Sequence, residues 1–256
     1  MSNTEHDKSS NFPELQYQQK PTAQSVSEPR AQEKKPIQPP TEITSKKAIK
    51  KSGVIVNSHD LHNFSQEVIN FHGRYLQFLG KPQTNFFTVI HGLPGQGKSN
   101  FALQFAKYLA DNHGRVLYIS GEEGFNQTFE YKLKTNGAQS QSLDIADCRK
   151  LDDILKKIPR SAYRFIVVDS LNNMGIDPEG VRKLRQHFKD AGLIAIQQST
   201  KAGHVRGSLE IVHDCDIEIQ VTGGKAITKK NRFNRTGLVF DIFPQEGEDE
   251  KDEEII

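Results

Sequence analysis

The residues best suited to chemistry form the run G-L-P-G-Q-G-K-S at residues 92–99. Glycines at this spacing let backbone N–H groups converge on phosphate oxygens, and the first turn of a following helix keeps its donors free for an anion. Lys98 can reach the terminal phosphates of ATP, and the Ser99 hydroxyl can bind Mg²⁺. The alternative is a chance glycine-rich turn. The predicted nucleotide-binding residues are Gly92, Leu93, Pro94, Gly95, Gln96, Gly97, Lys98, Ser99 and Asn100.

Three carboxylates lie at the end of a predicted strand or just after one. Asp169 ends the apolar run F-I-V-V-D, where it can bind Mg²⁺ directly or through water, across from Ser99. Its alternative role is to cap a helix. Glu122 and Glu123 follow the run V-L-Y-I-S, and one of them can activate the water that attacks the γ-phosphate. Adjacent side chains point in different directions, so we expect only one of the two to serve, and we favour Glu122. The alternative is a solvated loop carboxylate.

Polar residues near the ends of two later strands are further candidates. Gln197 and Gln198 end a predicted strand near the γ-phosphate, where an amide can sense that group, or they are simple strand-end amides. Lys230 and Arg232 lie two apart on an extended segment, so both point the same way and suit phosphate oxygens. Because they are far along the chain from the loop, they are candidates for a neighbouring subunit's site. A basic surface patch or a nucleic-acid contact is the alternative.

Strands and helices alternate around these residues. The predicted strands are 86–91, 116–120, 143–146, 165–169 and 193–198, and the predicted helices are 100–112, 126–134, 151–158 and 177–192. A predicted hairpin joins strands 216–221 and 226–230, and a last strand covers 238–242. Continuous apolar strands alternating with helices predict an α/β fold, with a mainly parallel sheet flanked by helices on both faces and a C-terminal β-hairpin.

The composition predicts four regions. Residues 1–52 are polar and poor in large apolar side chains, so we expect a disordered tail. Residues 53–83 form a linker region with a predicted amphipathic helix at 61–79, which packs either on its own domain or on a neighbouring subunit. Residues 84–245 form the core. Residues 246–256 form an acidic tail.

The charge distribution is uneven. The net charge is +2, but the last eleven residues hold seven carboxylates, so the remainder has 33 basic against 25 acidic residues. This favours a polyanionic partner, and the alternative is a tail that only aids solubility. Cys148 and Cys215 match no metal or disulfide spacing. Without a signal sequence or a bilayer-length apolar stretch, we expect a cytoplasmic location.

The motifs G-L-P-G-Q-G-K-S, V-L-Y-I-S-G-E-E, F-I-V-V-D-S, Q-Q-S-T-K and K-K-N-R-F together resemble a RecA-type ATPase core of the bacterial RadA and DnaB-helicase branch. The resemblance covers roughly residues 84–243. Asn234 stands where RadA has a glycine after K-N-R-F. The zinc and protease-like modules of RadA and the helical domain of DnaB-type helicases have no counterpart here, so we expect a minimal core of a kind suited to a phage, plasmid or other mobile element.

The resemblance implies a homo-oligomeric, hexameric ring with ATP at the subunit interfaces. Glu122 would activate water, and Lys230 and Arg232 would act in trans. Residues 200–208 would form a loop facing single-stranded DNA. Its candidate phosphate contacts are Lys201, His204 and Arg206.

Two functions follow from these observations. The first is an ATP-hydrolysing motor on single-stranded DNA, in recombination, repair or replication. The alternative is a nucleotide-switched ring or assembly protein that recruits other proteins, with DNA binding incidental. A signalling ring resembling KaiC has less support, because no duplicated core is evident.

Overall fold

The computed structural model describes residues 55–60, 67–199 and 209–244. The helices in these ranges are α1 (Gly73–Leu79), α2 (Lys98–Asn112), α3 (Gln127–Thr135), α4 (Leu151–Lys157), α5 (Pro178–His187) and α6 (Leu209–Asp214). The strands are β1 (Phe87–Gly92), β2 (Val116–Ser120), β3 (Leu143–Ala146), β4 (Phe165–Asp169), β5 (Gly192–Gln198), β6 (Ile217–Thr222), β7 (Lys225–Asn231) and β8 (Val239–Asp241).

The strands form one sheet in the order β3-β2-β4-β5-β1-β6-β7-β8. The six strands from β3 to β6 pair in parallel, whereas β7 and β8 pair antiparallel to their neighbours. Strands β1, β2, β4 and β5 are almost continuously buried, because helices cover the sheet on both faces. One apolar core contains α1 and α2, and the other contains residues of α4, α5 and α6. The predicted α/β fold and its C-terminal hairpin are confirmed.

Within the described residues, the predicted helix at 61–79 is confirmed at Gly73–Leu79 and is wrong at 67–72, because α1 begins only at Gly73. Residues 67–69 instead pair with the segment at 82–84: Val68 forms an antiparallel bridge with Gln83, and the Ile69 N–H donates to the Pro82 carbonyl at 2.7 Å. This pairing removes the backbone groups that a longer helix would need. Helix α1 packs on α2 of the same chain, where Tyr75 stacks on Tyr108 with 4.2 Å between ring centroids.

The boundary between the fifth helix and the fifth strand also differs from the prediction. Helix α5 ends at His187, not at Gly192, which opens β5. A Cβ at Gly192 would lie 2.8 Å from Phe165 and 2.9 Å from Phe86, so the residue fits between two buried rings of the sheet. Helix α6 has no counterpart in the prediction.

Several expectations concern parts of the chain outside the described residues. These are the tails at 1–52 and 246–256 and the loop at 200–208. Among the residues described, no helix combines the length and the apolar character that crossing a bilayer requires.

Candidate nucleotide-binding site

The run G-L-P-G-Q-G-K-S connects β1 to α2. Gly97 is the residue before the helix, in a left-handed conformation with φ of 101°, and no side chain caps the helix there. In the described ranges, no hydrogen bond uses the backbone N–H groups of Gly97, Lys98 or Ser99. Gly92 must lack a side chain, since a Cβ there would lie 2.2 Å from the Val221 carbonyl oxygen. The loop therefore presents free amide donors at the N-terminus of a helix, which suits an anion.

Lys98 brings a positive charge over this loop. Its side chain is mostly buried, and its Nζ donates a hydrogen bond to the Leu93 carbonyl at 2.8 Å. Burial lowers the pKa of Lys98, while the carboxylates of Asp169 and Glu122 raise it. The ammonium group thus lies within electrostatic reach of both carboxylates that the sequence nominated.

Asp169 lies at the end of β4, level with Ser120 of β2. Tyr118 donates a hydrogen bond from its hydroxyl to Asp169 Oδ2 at 2.6 Å. Burial raises the pKa of Asp169, and hydrogen bonds from Tyr118 and Ser99 lower it. Ser99 and Asp169 therefore meet beside the loop. A hydroxyl and a carboxylate are hard oxygen ligands of the type that Mg²⁺ prefers, so these residues fit the metal.

The two adjacent glutamates have different surroundings. Glu123 forms an ion pair with Lys132, whose Nζ lies 2.5 Å from Glu123 Oε1. Glu122 is exposed and interacts electrostatically with Lys98 and Asp169. The ion pair holds Glu123 against α3, and Glu122 faces the loop and its charged groups.

Gln198 is the residue of β5 that lies beside the start of the loop, because it pairs with Gly92 of β1. Its backbone N–H donates to Asn172 Oδ1 at 2.7 Å. Side chains alternate along a strand, so Gln198 shares its face with Ile194 and Ile196, which belong to the core that contains α2. Gln197 is on the opposite face and pairs with His91.

The turn between β6 and β7 contacts the phosphate loop. The Gly223 N–H donates to Gln96 Oε1 at 2.7 Å, and the Ile242 N–H donates to the Gly224 carbonyl at 3.0 Å. Asn100, the residue after Ser99, accepts a hydrogen bond from Asn136 Nδ2 at 3.2 Å. The first two hydrogen bonds connect the β6–β7 turn to the phosphate loop and to the segment that follows β8.

Lys230 and Arg232 lie near the amino-terminal ends of the parallel strands, whereas the phosphate loop lies at their carboxyl-terminal ends. Lys230 Nζ donates to the His213 carbonyl at 2.7 Å, and Arg232 Nη1 lies 3.0 Å from Asp216 Oδ1. Asn231, between them, pairs with Ile217, which is level with Thr88 of β1. That level is four residues before Gly92, or roughly 13 Å at the rise of a strand. The two side chains contact the segment at 213–216, and within this chain they do not join the phosphate loop.

The DNA contacts nominated from the sequence, Lys201, His204 and Arg206, lie outside the described residues. Sequence reasoning missed Tyr118, although a tyrosine in the aliphatic run V-L-Y-I-S is a visible signal of a buried hydroxyl with a polar partner. It also missed Lys132, whose pairing distinguishes the two glutamates, and the contact of Gln96 with the late hairpin.

The fold is RecA-like, with a phosphate-binding loop between β1 and α2. The DNA repair protein RadA of Chlamydia pneumoniae is 26% identical over 205 residues, covering 72% of this chain and 45% of RadA. RadA of Bacillus subtilis is 29% identical over 170 residues, covering 58% of this chain and 36% of that protein. The chain thus spans less than half of the curated relatives it matches. No family model matches the chain.

Solved structures support the same fold. The flagellar accessory protein FlaH from Methanocaldococcus jannaschii superimposes with a TM-score of 0.53 at 14% identity, over 71% of this chain and 96% of FlaH. The sequence matches to RadA, together with the RecA-like fold, confirm the predicted resemblance to a RecA-type core related to RadA.

Proposed function

We propose that this chain hydrolyses ATP to ADP and phosphate and couples hydrolysis to movement on single-stranded DNA. The observation that carries the proposal is the meeting of Lys98, Ser99, Asp169 and Glu122 at one edge of a RecA-type sheet, beside free amide donors. A cation, two hard oxygen ligands and an exposed carboxylate are the groups that phosphoryl transfer to water requires.

Each residue has a role in this scheme. The free N–H groups of the loop bind phosphate oxygens, and the Lys98 ammonium exchanges the Leu93 carbonyl for the terminal phosphates. Ser99 and Asp169 hold Mg²⁺, which when bound neutralises charge on the phosphates. Glu122 accepts the proton of the attacking water as the new P–O bond forms and the bond to ADP breaks. Gln198 lies next to the loop, where its amide can respond to the γ-phosphate.

The proposal includes a ring in which Lys230 and Arg232 complete the site of a neighbouring subunit. Their separation from the phosphate loop of their own chain supports action in trans. Arg232 already has a partner in Asp216, so assembly would exchange this ion pair for phosphate contacts. The arginine side of the pair is exposed and Asp216 would keep its hydrogen bond from the Phe87 N–H, so the exchange costs little. We propose a hexamer, by analogy with the RecA-type helicases that the sequence resembles.

DNA as the partner rests on the likeness to RadA, on the basic body of the chain, and on Lys201, His204 and Arg206 as predicted phosphate contacts. A role in recombination, repair or replication follows from the same likeness. A mobile-element context and a cytoplasmic location remain part of the proposal.

ATP turnover with and without saturating single-stranded DNA tests the proposal, with Lys98→Ala as the control for contaminating ATPase. We expect DNA to stimulate turnover and to bind in a salt-sensitive way. A variant with alanine at all three predicted DNA contacts should lose stimulation while keeping basal turnover. ATP turnover that ignores DNA, with no salt-sensitive binding, would contradict the motor and favour the nucleotide-switched assembly protein.

A further inference from the structure

An aromatic side chain next to the phosphate loop has no role in the scheme above. Phe243 follows β8, and its ring meets both Gly97 of the loop and Gly224 of the late hairpin. A Cβ at Gly97 would lie 3.5 Å from Phe243 Cε2, and one at Gly224 would lie 3.2 Å from Phe243 Cδ2. The edge of the ring therefore packs directly on the residue that precedes α2.

Phe243 is nevertheless 57% exposed, although many other phenylalanines of the chain are buried. It borders an open cleft of about 670 Å³, a volume typical of small-molecule sites. The cleft lies between α1 and α2, and its lining includes Gln104, Tyr108, Asn136, Phe243 and Pro244. An exposed ring that lines a cleft and contacts the phosphate loop is suitably placed to contact the base of a nucleotide whose phosphates the loop binds.

A chain of side-chain amides joins the phosphate loop to this cleft. Asn136 donates to Asn100 Oδ1, and Gln104 Nε2 donates both to Asn136 Oδ1 at 3.0 Å and to the Ile242 carbonyl at 2.9 Å. These bonds fix the wall of the cleft relative to the loop. They also bring polar groups next to the ring of Phe243, so the cleft combines an apolar surface with hydrogen-bonding groups.

We propose that Phe243 is a stacking surface for the base of the nucleotide whose phosphates the loop binds, and that the cleft beside it receives the base. This inference rests on the proposed function and identifies the part of the site that distinguishes a nucleotide from a bare polyphosphate. Stacking suits this position because an aromatic face offers affinity to any planar base without ordering new side chains.

Calorimetry with two probes, Mg·ATP and Mg·tripolyphosphate, tests the inference on Phe243→Ala, Phe243→Tyr and Val239→Ala. Val239 is the matched control, because it is 52% exposed on β8, which precedes Phe243, and is not among the residues that line the cleft. We expect Phe243→Ala to weaken ATP binding by about tenfold, the usual effect of losing one aromatic stack, and to leave tripolyphosphate affinity unchanged. Phe243→Tyr and Val239→Ala should match the wild type, and thermal melts verify that each variant folds.

The other outcomes separate the two claims. Unchanged ATP affinity in Phe243→Ala would overturn the stacking surface and leave the proposed function standing. Equal weakening of both probes would also overturn it, since the ring would then support only the backbone of the loop. If the wild type binds neither probe, the proposed function itself fails.

Discussion

Charged groups have different surroundings at the two edges of the sheet, by which we mean the carboxyl-terminal and the amino-terminal ends of its parallel strands. At the edge with the phosphate loop, Lys98, Asp169 and Glu122 lie together beside backbone amides that have no acceptor in the described residues. At the opposite edge, Lys230 binds the end of α6 and Arg232 pairs with Asp216. The first edge is prepared for an external anion, whereas the second satisfies its cations within the chain.

The comparison indicates which charges are costly to keep. Burial raises the pKa of Asp169 and lowers that of Lys98, so the fold disfavours the charged form of each group. The pair Arg232–Asp216 is exposed on the arginine side, where solvent reduces both its cost and its benefit. Selection for stability alone would not bury Lys98 and Asp169, because burial disfavours their charged forms. Buried charges of this kind are typical of functional sites.

The largest expected effect joins the two edges. Arg232→Ala should lower ATP turnover by about 1,000-fold if the arginine acts on a neighbour's γ-phosphate, because such residues stabilise the charge of the transition state. The melting temperature should change little, since the lost ion pair is exposed on the arginine side and Asp216 keeps a hydrogen bond from the Phe87 N–H. Turnover is measured with Lys229→Ala as control, an exposed lysine of β7, the strand that ends just before Arg232.

Mixing experiments sharpen this prediction. Arg232→Ala mixed with Lys98→Ala should regain part of the turnover, because some interfaces then combine an intact loop with an intact arginine. A mixture as inactive as its components would show that Arg232 does not serve a shared site.

A smaller effect is expected within the first edge. Glu122→Gln should bind ATP normally and lower turnover by about 100-fold, since an amide cannot accept the proton of the attacking water. Glu123→Gln is the matched control, and its loss should be much smaller because Glu123 is paired with Lys132. Single-turnover hydrolysis measures both variants, and a reversed order of effects would transfer the role to Glu123.

The smallest expected effect concerns stability. Asp169→Asn keeps an acceptor for Tyr118 and Ser99 but removes the buried charge, so its melting temperature should exceed that of the wild type by a few degrees at pH 7 without nucleotide. Burial raises the pKa of Asp169 in the folded state, so the cost of ionisation is present above that pKa. The difference in melting temperature between Asp169→Asn and the wild type should therefore shrink as the pH falls through the folded pKa of Asp169, and it should vanish below the ordinary pKa of 3.8.

Melting curves across this pH range, with Glu122→Gln as an exposed carboxylate control, check the prediction. An Asp169→Asn variant less stable than the wild type at pH 7 would mean that the carboxylate stabilises the fold.

The parts of the molecule that local sequence determines were predictable. The loop at 92–99 depends on neighbouring glycines, and the strands that end at Asp169 and Gln198 are short apolar runs, so pattern alone located them. The choice between Glu122 and Glu123 depends on Lys132, whose helix position turns it toward one glutamate. No local pattern encodes that contact.

Contacts between distant parts of the chain explain the remaining errors and omissions. Within the described residues, the helix predicted at 61–79 begins only at Gly73, because Val68 forms a bridge with Gln83, and apolar spacing cannot reveal a pairing partner. The position of Phe243 against Gly97 likewise needs the whole sheet to bring β8 back toward α2.

Calorimetric titration of the wild-type chain with Mg·ATP tests most directly whether the first edge binds a triphosphate. We expect saturable heat with one nucleotide per chain, and loss of that heat in Lys98→Ala, because the buried ammonium is the only side-chain cation placed over the free amides in the described part of the loop. Absence of saturable heat in the wild type, or equal heat in Lys98→Ala, would contradict it.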